Sequence, residues 1–327
     1  MSSQAIGPVP YASDPSAKPK LTTCSIVHSE TLIYAIDEVL LLSAYDIHHG
    51  LLADCRGFES AFGHSRYAGP RFLMIDCGWY EAGDGPSGNP FVEGLEKTEP
   101  WEESQYGSTL DQLDDDVRAV AVSWDYDGPY AEQIRRAQDF FGRRRRFAST
   151  ILLKRPGESR FHHFEKLSGE DIRNLRAFDI VGVTEKELGD SVLERVTTLA
   201  RLRKQFDDLG VPAPIHVFGG LDPLLTPLYF AAGGEIFDGL GWLRYSYRDG
   251  ITISRDAAAL LSRQVDKRWM QVMTTVQLGN LDALRELAGE LRLFAHHRGD
   301  WSKLRQGENL RPIWEHVEER LGRRDRG

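Results

Sequence analysis

Seven short runs along the chain are almost wholly apolar and rich in β-branched and aliphatic residues. The first four are EVLLLSAY (Glu38–Tyr45), RFLMID (Arg71–Asp76), AVAVSWD (Ala119–Asp125) and STILLK (Ser149–Lys154). FDIVGV (Phe178–Val183), PIHVFGG (Pro214–Gly220) and GEIFDG (Gly234–Gly239) follow. Runs this continuous suit strands buried on both faces of a parallel sheet. Helical patterns lie between several of them: YAEQIRRAQDFFGRRRR, GEDIRNLRAF, SVLERVTTLARLRKQFDDLG and LLTPLYFAAG. The long third one meets Gly210 and then Pro212, a usual helix stop. Strand and helix alternating in this way predict an α/β fold, a (β/α)8 TIM-type barrel, with a doubly wound open sheet as the runner-up. No glycine-rich phosphate loop follows the first strand, which weakens the nucleotide-binding form of the open sheet. After Ile253 the pattern turns helical, in AAALLSRQVDKRWMQVM, LDALRELAGELRLFAHH and IWEHVEERL. The expected organisation is a flexible leader over residues 1–20, a barrel over 21–255 and a C-terminal helical appendage over 256–327. Apolar packing of Trp269, Leu287, Leu291 and Phe294 is expected to hold the appendage, with Trp101, Trp301 and Trp314 packing there too.

Composition narrows this little. At 327 residues, 41% hydrophobic and 27% charged, the chain can bury a sizeable core. No apolar run reaches the roughly 18 residues of a membrane span, and the first residues lack the apolar centre of a signal peptide. Cys24, Cys55 and Cys77 show neither metal-ligand nor disulfide spacing, as expected of a cytoplasmic protein with reduced thiols. The net charge of −9 hides an asymmetry. Residues 81–127 carry 13 acidic side chains against 2 basic, and residues 135–166 carry 10 basic against 3 acidic. Such segregation can steer a polyanion to one face, or it can be a solvated helix end. The pairs His48-His49, His162-His163 and His296-His297 are expected to be solvated, because adjacent histidines point different ways and rarely share a metal.

The strand ends carry Asp76, Asp125, Lys154 and Asp238, with Phe218-Gly219-Gly220 at another. In a barrel of this type working residues gather at the C-terminal ends of strands, although each alone could cap a helix or bond a loop amide. Two carboxylates flanking one bond are what glycosidic chemistry requires. A glycoside hydrolase would want a glutamate as acid/base, and the strand ends offer aspartates.

These segments resemble the tRNA-guanine (queuine/archaeosine) transglycosylase superfamily, including its relatives that modify DNA. GPRFLMIDCGWYE resembles the family's strand ending in Asp-Ser-Gly-Gly-Phe-Gln, VSWDYDGPY its Phe-Asp-Glu-Cys segment, and IHVFGGLDP its Tyr-Leu-Met-Gly-Val-Gly turn. GGEIFDGLGWLRYSYRDG is similar to the nucleophile stretch Val-Asp-Met-Phe-Asp-Cys-Val-x-Pro-Thr-Arg, and LLLSAYDIHHG to Asn-Thr-Tyr-His-Leu. The likeness runs in order from about Val39 to Gly250.

The resemblance implies a pentosyltransferase that exchanges a guanine in tRNA or DNA for a 7-deazapurine, as in queuosine formation. It makes Asp238 the nucleophile and Asp76 the proton carrier. Asp125, Tyr80, Lys154, Gly182, Phe218 and Gly219 would bind the base, and Arg244 would hold a phosphate or support the nucleophile. Asp125 would accept from the ring N–H and amine of a guanine-type base, and Tyr80 and Phe218 would sandwich the ring. The three carboxylates are expected to converge on one preformed cavity. The sequence departs from the family at several points. No cysteine follows Cys77, so the zinc cluster has no counterpart and no metal or cofactor is expected. Lys154 stands for a glutamine, Gly182-Val183 for Gly-Gly, and Trp242-Leu243 for Pro-Thr. Expected partners are nucleic acid and a 7-deazapurine base, without a membrane; a second copy of the chain or a partner protein is left open. The alternative reading is a zinc-less barrel that binds nucleic acid or serves as a partner subunit without turnover.

Overall fold

The computed structural model describes residues 25–29, 39–49, 72–79, 99–113, 117 and 119–322. The leader expected over residues 1–20 lies outside them. The chain is an α/β fold with a parallel main sheet. Its strands are β1 (Ser25–Ser29), β2 (Val39–Ser43), β3 (Phe72–Asp76), β4 (Ala119–Val122), β5 (Ala148–Leu153), β6 (Ile180–Thr184), β7 (Ile215–Phe218) and β8 (Gly234–Phe237). A separate antiparallel pair follows, β9 (Ser246–Arg248) and β10 (Ile251–Ile253). The helices begin with α1 (Ala44–His48), α2 (Glu103–Asp111), α3 (Tyr130–Gly142), α4 (Gly169–Asn174) and α5 (Val192–Leu209). Then come α6 (Thr226–Ala231), α7 (Gly241–Arg244), α8 (Arg255–Leu261), α9 (Trp269–His296) and α10 (Gly307–Arg320). Each of the seven apolar runs coincides with one of the strands β2 to β8, with β5 beginning and β6 ending one residue outside its run. Two compact units emerge: residues 27–157 with 177–182, and residues 1–26 and 158–176 with 183–327.

In the first unit, β2, β3, β4 and β5 pair in parallel and in sequence order. Register runs from Val39 opposite Phe72 to Ser43 opposite Asp76, which brings the strand ends level. Ile75, Ala121, Val122 and Leu153 are buried, as expected of strands covered on both faces. Helix α3 buries Tyr130, Ile134, Ala137 and Phe141 at helical spacing. It also buries Gln133, whose amide donates to the carbonyls of Gly128 and Lys154 and whose oxygen accepts from the Lys154 N–H. That clamp fixes the end of β5. The charge asymmetry resolves into pairing: Arg136 bonds Glu103, Arg144 bonds Asp111, and Arg146 donates to the carbonyls of Leu110 and Leu113. Sequence segregation has become mutual neutralisation, with Arg143 and Arg145 exposed.

In the second unit, β7 and β8 pair in parallel, and the first two residues of β1 pair with Ile236 and Phe237. Helix α5 starts at a capping box between Ser191 and Glu194 and stops at Gly210, whose φ of 66° is left-handed. Helix α9 is one 28-residue helix where the pattern suggested two shorter ones. It buries Leu287, Leu291 and Phe294 as expected, while the side chain of Trp269 lies outside the described residues. Apolar packing is not the whole attachment. Asn280, fully buried, donates to the carbonyls of Trp242 and Tyr245 and accepts from the Tyr247 N–H. Trp301 packs near Phe294 and Trp314, but Trp101 belongs to the first unit, where its indole N–H donates to the Cys77 carbonyl at 2.7 Å.

Candidate active site

Asp238 is the first residue past β8 and is 8% exposed. Two donors converge on its Oδ1: the Gly219 N–H at 2.9 Å and Nε2 of His216 at 3.1 Å. Among the described residues its Oδ2 has no hydrogen-bond partner. The carboxylate is thus held by one oxygen and offers the other. Both donors come from the end of β7. A register shift at Ile215/His216 marks an irregularity there, the kind of strand kink that re-aims side chains beside working sites. Gly219 adopts φ +75°, a backbone state that side chains resist, which turns its N–H onto Asp238.

His216 is fully buried and stacks on Phe218, ring centroids 3.7 Å apart. The two residues lie two apart on one strand and therefore share a face. Donation to the carboxylate requires the hydrogen on Nε2, and Nδ1 has no hydrogen-bond partner among the described residues. Sequence reasoning passed over His216. The available signal was a lone histidine inside an apolar strand, two residues before a residue already assigned to the pocket. Of the two residues expected to line a purine pocket, Phe218 stacks on His216 and Gly219 donates its N–H to Asp238. Among the described residues the hydrogen-bond partners of the Asp238 carboxylate are His216 and Gly219, and Arg244, in α7, is half-buried.

The first unit gathers a second cluster. Asp76 closes β3, Asp125 lies three residues past β4, and Lys154 follows β5. Lys154 Nζ is 3.4 Å from Asp125 Oδ2 with both side chains largely buried, so it is not a solvated strand-end lysine. The Cys77 thiol lies 3.6 Å from Asp125 Oδ1 as its donor. Burial first, then the charges of Asp125 and Asp76, push that thiol well above its usual range and keep it protonated. Gly182 sits mid-strand in β6, buried. Tyr80 lies outside the described residues. Replacing Lys154 with Met removes the nearby cation from Asp125; weaker base binding is expected, KM rising about tenfold with kcat changed less. Steady-state kinetics on the variant check this, and an unchanged KM would return Lys154 to scaffolding.

The histidine pairs divide. His296 and His297 are exposed, whereas His162 is buried and stacks on Phe164, and His49 packs between Tyr45 and Trp101. Among the described residues no three His, Cys, Asp or Glu side chains are gathered to hold a metal. Among the described residues no helix is long and apolar enough to cross a membrane. Fold and site together define an α/β protein with a buried strand-end carboxylate held on one oxygen. Comparison with models of known protein families and with curated proteins finds no match for this chain.

Proposed function

We propose that the chain is a guanine transglycosylase, exchanging a guanine in tRNA or DNA for a 7-deazapurine in the cytoplasm, with Asp238 as nucleophile. The observation that carries this reading is the asymmetry of the Asp238 carboxylate. Two donors fix Oδ1, and Oδ2 is left to attack. The strands are read as those of a (β/α)8 barrel, supported by β1, which pairs in parallel with β8 and with β2 as closure requires.

In the first half-reaction Oδ2 attacks the anomeric carbon as the bond from that carbon to the purine nitrogen breaks. The bonding electrons leave with the purine, which takes a proton from Asp76, and an ester joins sugar to Asp238. The incoming base then gives its proton to Asp76, attacks the anomeric carbon and displaces Asp238. Asp125 accepts from the base's ring N–H and amine, a buried polar match that rejects adenine. Its neighbour Lys154 favours a carbonyl or anionic group on the incoming base. No step calls on a metal.

The test is exchange of labelled guanine and labelled 7-deazaguanine into bulk tRNA and into duplex DNA. Incorporation into either polymer, lost in Asp238→Asn, is expected. A protein that binds these polymers yet incorporates neither base is a binding subunit, and the transferase reading fails.

A further inference from the structure

The unit that holds Asp238 also has an open cavity of about 200 Å³ lined in part by the Gly219–Leu221 stretch. Its lining includes Glu185, Gly219, Asp222, Tyr229, Tyr245 and Tyr247. The two carboxylates differ. Asp222 is satisfied, with Oδ1 accepting from the N–H groups of Leu224 and Leu225 and Oδ2 from the Thr252 hydroxyl. Glu185 is not. Its Oε1 accepts from both Arg195 and the Tyr229 hydroxyl, while Oε2 has no hydrogen-bond partner among the described residues. Glu185 is only 9% exposed, and that oxygen keeps an acceptor position for a donor that enters the cavity. Burial and then the Glu185 charge hold the Tyr229 phenol far above its usual range, so it remains a donor to Oε1.

Three further features say what kind of donor fits. The hydroxyls of Tyr229 and Tyr247 are already engaged, by Glu185 and by the Leu221 carbonyl, so these rings present mainly apolar surface. Tyr245 is 47% exposed, leaving an aromatic face available for stacking. At Gly219 a Cβ would meet nothing within 4 Å, so a ligand can approach that backbone closely. Two carboxylates in the lining disfavour a phosphate in the cavity itself.

We propose that this cavity is a nucleoside subsite beside the reacting one, with Glu185 accepting a sugar hydroxyl or base amino hydrogen and Tyr245 stacking on the ring. It rests on the nucleic-acid reading of Asp238 for the choice of a nucleoside. The attacked nucleotide occupies Asp238, and the neighbour's sugar and base enter here while phosphates stay outside.

The experiment is binding of guanosine and of guanosine 5′-monophosphate to the full chain, followed by calorimetry or ligand-observed NMR. Glu185→Gln keeps an oxygen for Arg195 and Tyr229 and puts an amide donor where Oε2 was. Tyr245→Ala changes an exposed residue and serves as the second variant if Glu185→Gln does not fold. Guanosine is expected to bind the wild type and Asp238→Asn alike, more tightly than the monophosphate. Each of the other two variants should weaken it by about tenfold or more. The subsite is overturned if guanosine does not bind, if both variants bind it like the wild type, if the monophosphate binds more tightly, or if the loss is confined to Asp238→Asn. Base exchange is scored separately. Binding sensitive to Glu185 in a protein that exchanges nothing upholds the subsite and sinks the transferase, and exchange with insensitive binding does the reverse.

Discussion

Asp238→Asn should melt close to the wild type and trap no nucleic acid covalently, while Asp238→Ala should lose stability as well. The difference follows from the two oxygens. Asparagine can keep a carbonyl oxygen where Oδ1 accepts from Gly219 and His216, and it replaces only Oδ2, the attacking atom. Alanine removes both and leaves two buried donors without an acceptor, at a cost of roughly 1–3 kcal/mol each. A melt several degrees lower follows for a chain of this size. Loss of a nucleophile should reduce exchange on the order of 10⁴-fold or more in either variant. Thermal melts and a denaturing-gel trapping assay on the three proteins give both readouts. Trapping by Asp238→Asn at the wild-type rate would place the covalent bond on another residue. The sequence alone posed nucleophile and scaffold as alternatives for Asp238. The structure gives Oδ1 two donors and leaves Oδ2 without one, so asparagine rather than alanine is the substitution that separates the proposed nucleophile from scaffolding.

The expected binding set falls on both compact units. Asp76, Asp125, Lys154 and Gly182 belong to one, and Asp238, Phe218, Gly219 and Arg244 to the other. Within each, chemistry follows from what the strand ends bring together. In one, β3, β4 and β5 lead to a thiol, a carboxylate and an ammonium group in contact. In the other, β7 supplies two donors to the carboxylate that follows β8. Consecutive parallel strands place residues that are distant in sequence at neighbouring strand ends, which gives periodicity reasoning its reach.

Periodicity located strands because burial on both faces writes itself into composition. Phe72–Asp76 and Ile215–Phe218 could hardly be anything else. It failed where structure depends on a turn or on a partner far away. The β9–β10 hairpin is short and partly exposed, so its apolar signal is weak. Its Asp249-Gly250 turn was nonetheless legible: φ angles of 52° and 75° are what an Asp-Gly pair allows between two strands. In the run Arg143–Arg146 the partner of Arg144 is Asp111 on α2, 33 residues upstream, which spacing along the chain does not reveal. His216 could be seen as an oddity in an apolar strand, but its acceptor is 22 residues on and enters through the neighbouring strand. Asn280 offered no signal at all, being one polar residue at the junction of two helical patterns.

That residue carries the other large effect. Asn280→Ala should destabilise the protein by roughly 3–5 kcal/mol, because it strips partners from three backbone groups at once. Those groups are the carbonyls of Trp242 and Tyr245 and the N–H of Tyr247, at 2.5, 2.7 and 2.7 Å. All three lie in the stretch just after Asp238, where the chain leaves α7 and enters β9. Asn280 is fully buried, so water cannot easily replace its amide. The amide thus ties the long C-terminal helix to the segment that follows Asp238. If apolar packing alone held the helix, a leucine of similar volume at position 280 would be neutral or stabilising. With the three bonds as the attachment, Asn280→Leu should fall with Asn280→Ala, both melting about 10 °C or more below the wild type. Calorimetry of the two variants decides between these accounts. A leucine variant as stable as the wild type would leave Leu287, Leu291 and Phe294 as the whole of the attachment.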